Sequence, residues 1–371
     1  MREGPRVKVA HLDTGRTWRG GQAQVLLLIE GLRRRGIENL LLAPPGPLLD
    51  RARSLGIDCR VWRVRAELDP IAVLTGSRAL AGVDVAHAHS AHAHAAGVPA
   101  ARLARVPAVV VSRRVDFEVA KNPLSRLKYR LPVDRYLCIS RGVEEVLRKA
   151  RIPESRLARV PSGVAFHAPP ASTFDLRQAI GAAPSDPVVG TVAALAPHKN
   201  HADLMRAAAL VIRARPETRF VWLGEGECRA ALERQRAELG LERHVHLLGF
   251  REDALALVPQ FTVFALASYL EGLCTSLIDA QRLGVPVVAS RTGGIPDVIE
   301  DGVNGRLVPP RDPEALAAAI LEALADPARR ASWAAAGLVT APRFSADHMV
   351  EGTLEVYRAV LREHGRDHAL D

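Results

Sequence analysis

The sequence predicts an α/β protein built from two successive doubly wound units. Short apolar runs alternate with longer amphipathic runs along the whole chain, the pattern of a parallel sheet with helical crossovers. The length, 371 residues, exceeds what one ordinary core organises and suits two. A stretch rich in proline and small residues, 160–172, interrupts the alternation near its middle and marks a linker.

Before that linker, 7–12, 40–43, 83–88, 108–112 and 136–139 read as strands, because each is a short run made mostly of apolar residues. Helical periodicity covers 21–35, 91–104 and 142–150. After it, 188–192, 219–223, 245–247, 262–266 and 285–289 read as strands, with helices at 201–214, 229–239, 276–283 and 313–325. The last run, 346–363, repeats Val350, Leu354, Tyr357 and Leu361 at helical spacing and is expected to cross back to the first unit. The expected domains are therefore 1–168 and 169–345, with about 346–371 packing on the first.

Apolar content of 48% and charged content of 25% place the chain among globular proteins. No apolar run reaches the ~18–20 residues that span a bilayer. The first residues run into a strand without a secretory core, and Cys59, Cys138, Cys228 and Cys274 have no metal-ligand spacing. Reduced thiols in the cytoplasm are the expectation. Charge is uneven: residues 1–170 carry 29 Lys and Arg against 15 Asp and Glu, and residues 171–371 carry 21 against 26. The basic half suits an anionic membrane surface or an anionic lipid-linked acceptor. Nucleic acid is disfavoured, since aromatics are 4% and no stacking motif is present. Only five of the 50 basic residues are lysine, so an origin in coding bias stays open.

The chemistry concentrates in 268–310, SYLEGLCTSLIDAQRLGVPVVASRTGGIPDVIEDGVNGRLVPP. It reads as a strand end, an acidic loop and a helix beginning near Thr275. Open α/β sheets bind ligands at the carboxyl ends of their strands. The backbone N–H groups of Gly272, Leu273, Cys274, Thr275 and Ser276 would face outward there and cradle a diphosphate, with Thr275 as the expected N-cap. Glu271 and Asp279 could accept hydrogen bonds from vicinal hydroxyls, or could simply cap the helix dipole and face solvent. In 190–202, GTVAALAPHKNHA, Lys199 is the only lysine after residue 150. Its ammonium would neutralise charge on a leaving diphosphate, unless it is an exposed helix-start residue. The loop 13–24, DTGRTWRGGQAQ, brings Arg16 and Arg19 toward an anionic acceptor or is a plain surface loop. In 85–94, VAHAHSAHAH, His87 and His89 at i,i+2 match no metal spacing, so no metal is expected.

The segment 268–310 resembles the donor-site signature of glycosyltransferase family 4, retaining enzymes with the GT-B fold. The matching positions are Glu271, Gly272, Asp279, Ala280, Gly284, Pro286, Val287, Ala289, Gly293, Gly294, Pro296, Gly302, Gly305 and Val308. The resemblance implies two Rossmann-like domains facing each other across a cleft, the second binding the donor. It implies a nucleotide diphosphate sugar (UDP-, GDP- or ADP-type) as co-substrate, no permanent cofactor, and a glycan or lipid-linked acceptor. Glu271 and Lys199 are then catalytic, with His89 an acceptor-side candidate for the same role. Gly20 and Gly21 would join Lys199 and residues 271–276 and 279 around the donor. The chain departs from the family's pattern at three points. Asp279 replaces glutamate, Ala194 replaces an arginine five residues before Lys199, and Ser112, Arg113 and Arg114 stand where a histidine usually ends the strand. Arg113 and Arg114 suit a phosphate or an acidic acceptor. The expected function is retaining sugar transfer in lipopolysaccharide, surface polysaccharide or glycolipid synthesis, at the inner face of the cytoplasmic membrane. A nucleotide-sugar binding protein with impaired catalysis, an epimerase of the same fold and a nucleic-acid-binding protein are the alternatives.

Overall fold

The computed structural model describes residues 7–67, 69–119, 127–169 and 171–366. Pro170 of the expected linker and 367–371 of the closing segment lie outside the described residues. The chain divides into two compact units, Met1–Ala165 with Phe344–Asp371, and Phe166–Arg343.

The first unit holds β1 (Lys8–Leu12), β2 (Glu38–Ala43), β3 (Asp58–Val61), β4 (Val85–Ala88), β5 (Ala108–Arg113), β6 (Arg135–Cys138) and β7 (Leu157–Arg159). They lie side by side as β3-β2-β1-β4-β5-β6-β7, all parallel. Helices α1 (Gly20–Arg34), α2 (Pro47–Ser54), α3 (Pro70–Ala79), α4 (Ala91–Leu103) and α5 (Arg141–Lys149) connect them. β4 is buried along its whole length, as a strand covered on both faces must be. The edge strand β3, DCRV, has mostly exposed residues and no apolar run, which is why periodicity did not reveal it.

The second unit holds β8 (Val188–Val192), β9 (Arg219–Leu223), β10 (Val245–Leu247), β11 (Val263–Leu266), β12 (Val287–Ser290) and β13 (Arg306–Val308). Their parallel order is β10-β9-β8-β11-β12-β13. Its helices of eight or more residues are α6 (His201–Ala214), α7 (Arg229–Glu238), α8 (Thr275–Arg282), α9 (Pro313–Ala325) and α10 (Pro327–Thr340). Asp312 and Asp326 accept from Ala315 N–H and Arg329 N–H, each with proline as the first helical residue, and so start α9 and α10.

The last helix, α11 (Ala346–Glu363), belongs to the first unit. Met349, Val350, Leu354, Tyr357, Val360 and Leu361 share one buried cluster with Val9 of β1, Val85 of β4, Val110 of β5 and Leu137 of β6. A Cβ on Gly31 of α1 would lie 2.4 Å from Val350 Cγ2, so only glycine lets the two helices approach this closely. Val164 N–H donates to Phe344 O at 2.9 Å and Ala346 N–H to Val164 O at 2.8 Å, pairing the chain's two passages at the unit boundary. The amide of Gln24 grips both the N–H and the C=O of Gly163, at 2.8 and 2.7 Å. Among the described residues, no helix is long and apolar enough to cross a membrane.

Candidate functional site

In an open α/β sheet the binding crevice forms at the carboxyl ends of the two strands where the strand order reverses. In the second unit those are β8 and β11. The chain leaving β8 makes one 3-10 turn, Pro197–Lys199, and enters α6 through Asn200 in a left-handed conformation, φ 54°. The chain leaving β11 reaches Glu271 five residues after Leu266, the last residue of that strand. Lys199 and Glu271 form an ion pair there, and Ser268 Oγ donates to Glu271 Oε1 at 2.9 Å. Both side chains are largely withdrawn from water, 16% and 8% exposed, so their attraction is only weakly screened.

The backbone fixes this pair from three sides. Tyr269 N–H donates to His198 O at 3.0 Å, tying the two loops together. Gly294 N–H donates to Glu271 O at 3.0 Å and Thr292 Oγ1 to Tyr269 O at 3.0 Å, so the Gly-Gly turn of the signature clamps the acidic loop. Leu195 N–H donates to Glu225 O at 3.0 Å, and a Cβ on Gly224 would sit 1.9 Å from Ala193 O. Gly224 and Gly226 thus hold the Lys199 loop, a role that only the G-x-G after the β9 run could have signalled.

Helix α8 begins at Thr275, but Thr275 is its first helical residue and not its cap. The cap position is Cys274, left-handed at φ 70°, with no side-chain capping bond. A threonine needs extended backbone to cap, and the strained turn occurs one residue earlier. Among the described residues the amides of Gly272, Leu273, Thr275 and Ser276 have no hydrogen-bond partner. Burial pushes the Cys274 thiol up to about 11, so it is inert at neutral pH. Asp279 lies one turn along α8 and accepts from Arg282 Nε at 2.7 Å. Burial raises its carboxyl, opposed by Arg282. The structure thus joins Lys199 with Glu271 and the free amides, and gives Asp279 a separate partner.

In the first unit the order reverses between β1 and β4. Asp13, just beyond β1, accepts from Gly15 N–H at 2.6 Å and Gln22 Nε2 at 3.0 Å. Thr14 and Ser90 bond across the two strand ends at 2.7 Å between hydroxyls. Arg16 and Arg19 are exposed. Gly20 and Gly21 open α1, and a Cβ on either would meet nothing within 4 Å, so the fold of this unit does not itself demand glycine there. Arg113 is spent on Tyr129 Oη and Phe117 O. Arg114 reaches His89 Nδ1 at 3.5 Å and Ser162 Oγ at 3.4 Å.

The histidine tract conceals a third member. β1 and β4 align His11 with His87, and His89 follows, so His11, His87 and His89 are buried with ligand nitrogens within 4.8 Å of one another. Spacing within the tract could not show this, because His11 comes from a different strand. Among the described residues this is the one group of metal-ligating side chains so arranged. Burial holds His11 down to about 4 and His94 and His201 down to about 3, and lowers His87 and His89 too. A histidine whose folded pKa lies below its unfolded value gains a proton on unfolding. Stability is therefore full above about pH 6.5 and is lost as pH falls toward the folded values, by up to ~1.4 kcal/mol per pH unit per histidine. Four of these five lie in the first unit, which is expected to lose amide-exchange protection first between pH 6.5 and 4. Equal protection of that unit at pH 7 and pH 4.5 would contradict this.

The profile of the family Glycosyltransferase Family 4 matches residues 18–167, and that of Glycosyl transferases group 1 matches 172–338. The UDP-Gal:alpha-D-GlcNAc-diphosphoundecaprenol alpha-1,3-galactosyltransferase of Escherichia coli is 27% identical over 82% of this chain and 84% of its own length. A D-inositol 3-phosphate glycosyltransferase of Segniliparus rotundus is 35% identical over 50% of this chain, and the match spans 43% of that relative. Anabaena Alr3699/HepE in complex with UDP superposes with a TM-score of 0.84 over 95% of this chain and all of that one, at 22% identity. At that identity the likeness speaks to the fold, which is GT-B.

Proposed function

We propose that this chain, which belongs to glycosyltransferase family 4, moves a sugar from a nucleotide diphosphate sugar to an acceptor hydroxyl with retention of anomeric configuration. The observation that carries the reading is the Lys199–Glu271 pair at the switch point of the second sheet, beside a row of unpartnered amides. Charge grows on the diphosphate as the glycosidic bond breaks. Lys199 and the amides of residues 272–276 stabilise it without reorganising, which is where such groups act most strongly. Glu271 orients the transferred sugar through its hydroxyls, and Asp279 holds the ribose once Arg282 shares it. Fixed positive groups perform the neutralisation, so the reaction proceeds without a metal.

The first unit carries the acceptor side, with Gly20 and Gly21 leaving backbone open to close approach and Arg16, Arg19 and Arg114 as contact candidates, while Arg113 is engaged by Tyr129 and His89 by His11 and Arg114. The excess of basic residues before residue 170 supports a glycan or lipid-linked acceptor at an anionic membrane surface, on the cytoplasmic side. A binding protein with impaired turnover is the second reading, favoured by Ala194 and by the Asp279–Arg282 pair.

The test is a calorimetric screen against UDP, GDP and ADP and their sugar conjugates. One nucleotide is expected to bind selectively, with affinity lowered about tenfold or more in Lys199→Ala. No nucleotide binding above background would sink the transferase reading. Binding of a conjugate with neither transfer nor donor hydrolysis would leave the second reading standing.

A further inference from the structure

The donor reading leaves one buried polar chain in the first unit without a task. His89 Nε2 and His11 Nδ1 face each other at 3.1 Å, His11 Nε2 meets Asn39 Oδ1 at 3.0 Å, and Asn39 Nδ2 donates to Ile37 O at 2.8 Å. At the other end stands Arg114, 3.5 Å from His89 Nδ1. A guanidinium only donates, and that fixes every direction. His89 Nδ1 accepts, so its Nε2 carries the hydrogen and donates to His11 Nδ1, and His11 Nε2 donates to Asn39. A metal held by His11 and His89 would need both of the facing lone pairs, and one of them already takes the shared hydrogen. His87 packs against His89 with ring centroids 3.9 Å apart and the rings tilted by 35°, and is itself fixed by Tyr357 Oη at 2.6 Å and Ser112 Oγ at 2.8 Å. The imidazole of His89 therefore cannot turn.

What this row of polar groups positions is a cation in direct contact with no carboxylate, Asp13 acting on it only from a distance. Among the described residues no carboxylate lies within ion-pair distance of Arg114, its Nε is buried without a partner, and its contact to Ser162 is long at 3.4 Å. A half-buried guanidinium in that state favours an anionic partner strongly. It stands at the carboxyl end of β5, next to the switch point with the Thr14 and Ser90 hydroxyls.

We propose that Arg114 anchors a phosphate ester group of the acceptor, with His89, His11 and Asn39 as positioning residues that hold its guanidinium. This rests on the transferase reading for the word acceptor, but not for the binding itself. The planar fork of arginine matches two phosphate oxygens at once, and the nearby hydroxyls can donate to a third.

The full chain, with its donor site filled by the nucleoside diphosphate from the screen, is titrated with glycerol 3-phosphate and separately with glycerol. A second arm uses phosphatidylcholine vesicles with and without phosphatidic acid. Glycerol 3-phosphate is expected to bind where glycerol does not, about tenfold more weakly in Arg114→Met and with partial recovery in Arg114→Lys. His11→Phe should weaken it, and His11→Gln, which can still accept from His89 and donate to Asn39, should restore it. Nucleotide affinity, read in the same samples, reports on folding and on the donor site independently. Binding only to the phosphatidic acid vesicles, lost in Arg114→Met, assigns the phosphate to a lipid headgroup and supports the proposal. Equal binding by wild type and Arg114→Met, or none by wild type in either arm, overturns it even where nucleotide binds normally.

Discussion

Glu271→Gln is expected to lower turnover by about 10²–10³-fold while the nucleoside diphosphate product binds as tightly as before or more tightly. The substitution preserves volume and the hydrogen bond from Ser268, and removes one negative charge. In the free protein that charge neutralises Lys199. Without it, the ammonium has more attraction for a diphosphate and less geometric restraint, so binding and turnover move in opposite directions. Lys199→Ala should move them together, lowering affinity and rate, because it also takes the ion-pair partner from a buried Glu271, a loss that costs ~3–5 kcal/mol in comparable pairs. The rate can be read as nucleotide release from the donor that the calorimetric screen identifies. If Glu271 served only the dipole of α8, Glu271→Gln would shift thermal stability and leave turnover unchanged.

Ending the chain after Phe344 is expected to prevent the first unit from folding while the second keeps its cooperative transition. The removed helix, α11, supplies Met349, Val350, Leu354, Tyr357, Val360 and Leu361 to the cluster that covers one face of the seven-stranded sheet. Each such side chain is worth roughly 1.5–3 kcal/mol on burial, and together they are as large as the 5–15 kcal/mol by which domains are ordinarily stable. Tyr357→Ala is the graded version. It should cost ~3–5 kcal/mol, since the ring is fully buried and its hydroxyl partners His87. Amide exchange separates the cases: native protection of β1, β4 and β5 in the truncated protein would contradict the expectation.

The long, strongly apolar elements were legible in the sequence because burial on both faces leaves a continuous run. The strands at 188–192, 219–223 and 262–266 are of that kind. Elements held by something other than their own pattern were not. β3 is an exposed edge, β7 and β13 have three residues each, and α10 is an alanine-rich helix started by Asp326 and Pro327. At the site, Lys199 and Glu271 were legible because one lysine stands out against arginine and one acid opens a helix. The Thr275 cap was misread because a left-handed Cys274 leaves no mark in composition. His11 was missed because strand register, not spacing, brings it to His87.

The first unit is assembled from two stretches of chain with the whole second unit between them. On a ribosome adding ~5–20 residues per second, the intervening stretch takes roughly 10–40 s to emerge. Through that interval the second unit can complete itself, while Val9, Val85, Val110 and Leu137 wait on a sheet face whose cover has not been made. The nascent protein therefore offers chaperones an apolar surface throughout that interval, and slowing initiation or lowering temperature during expression should raise the soluble yield.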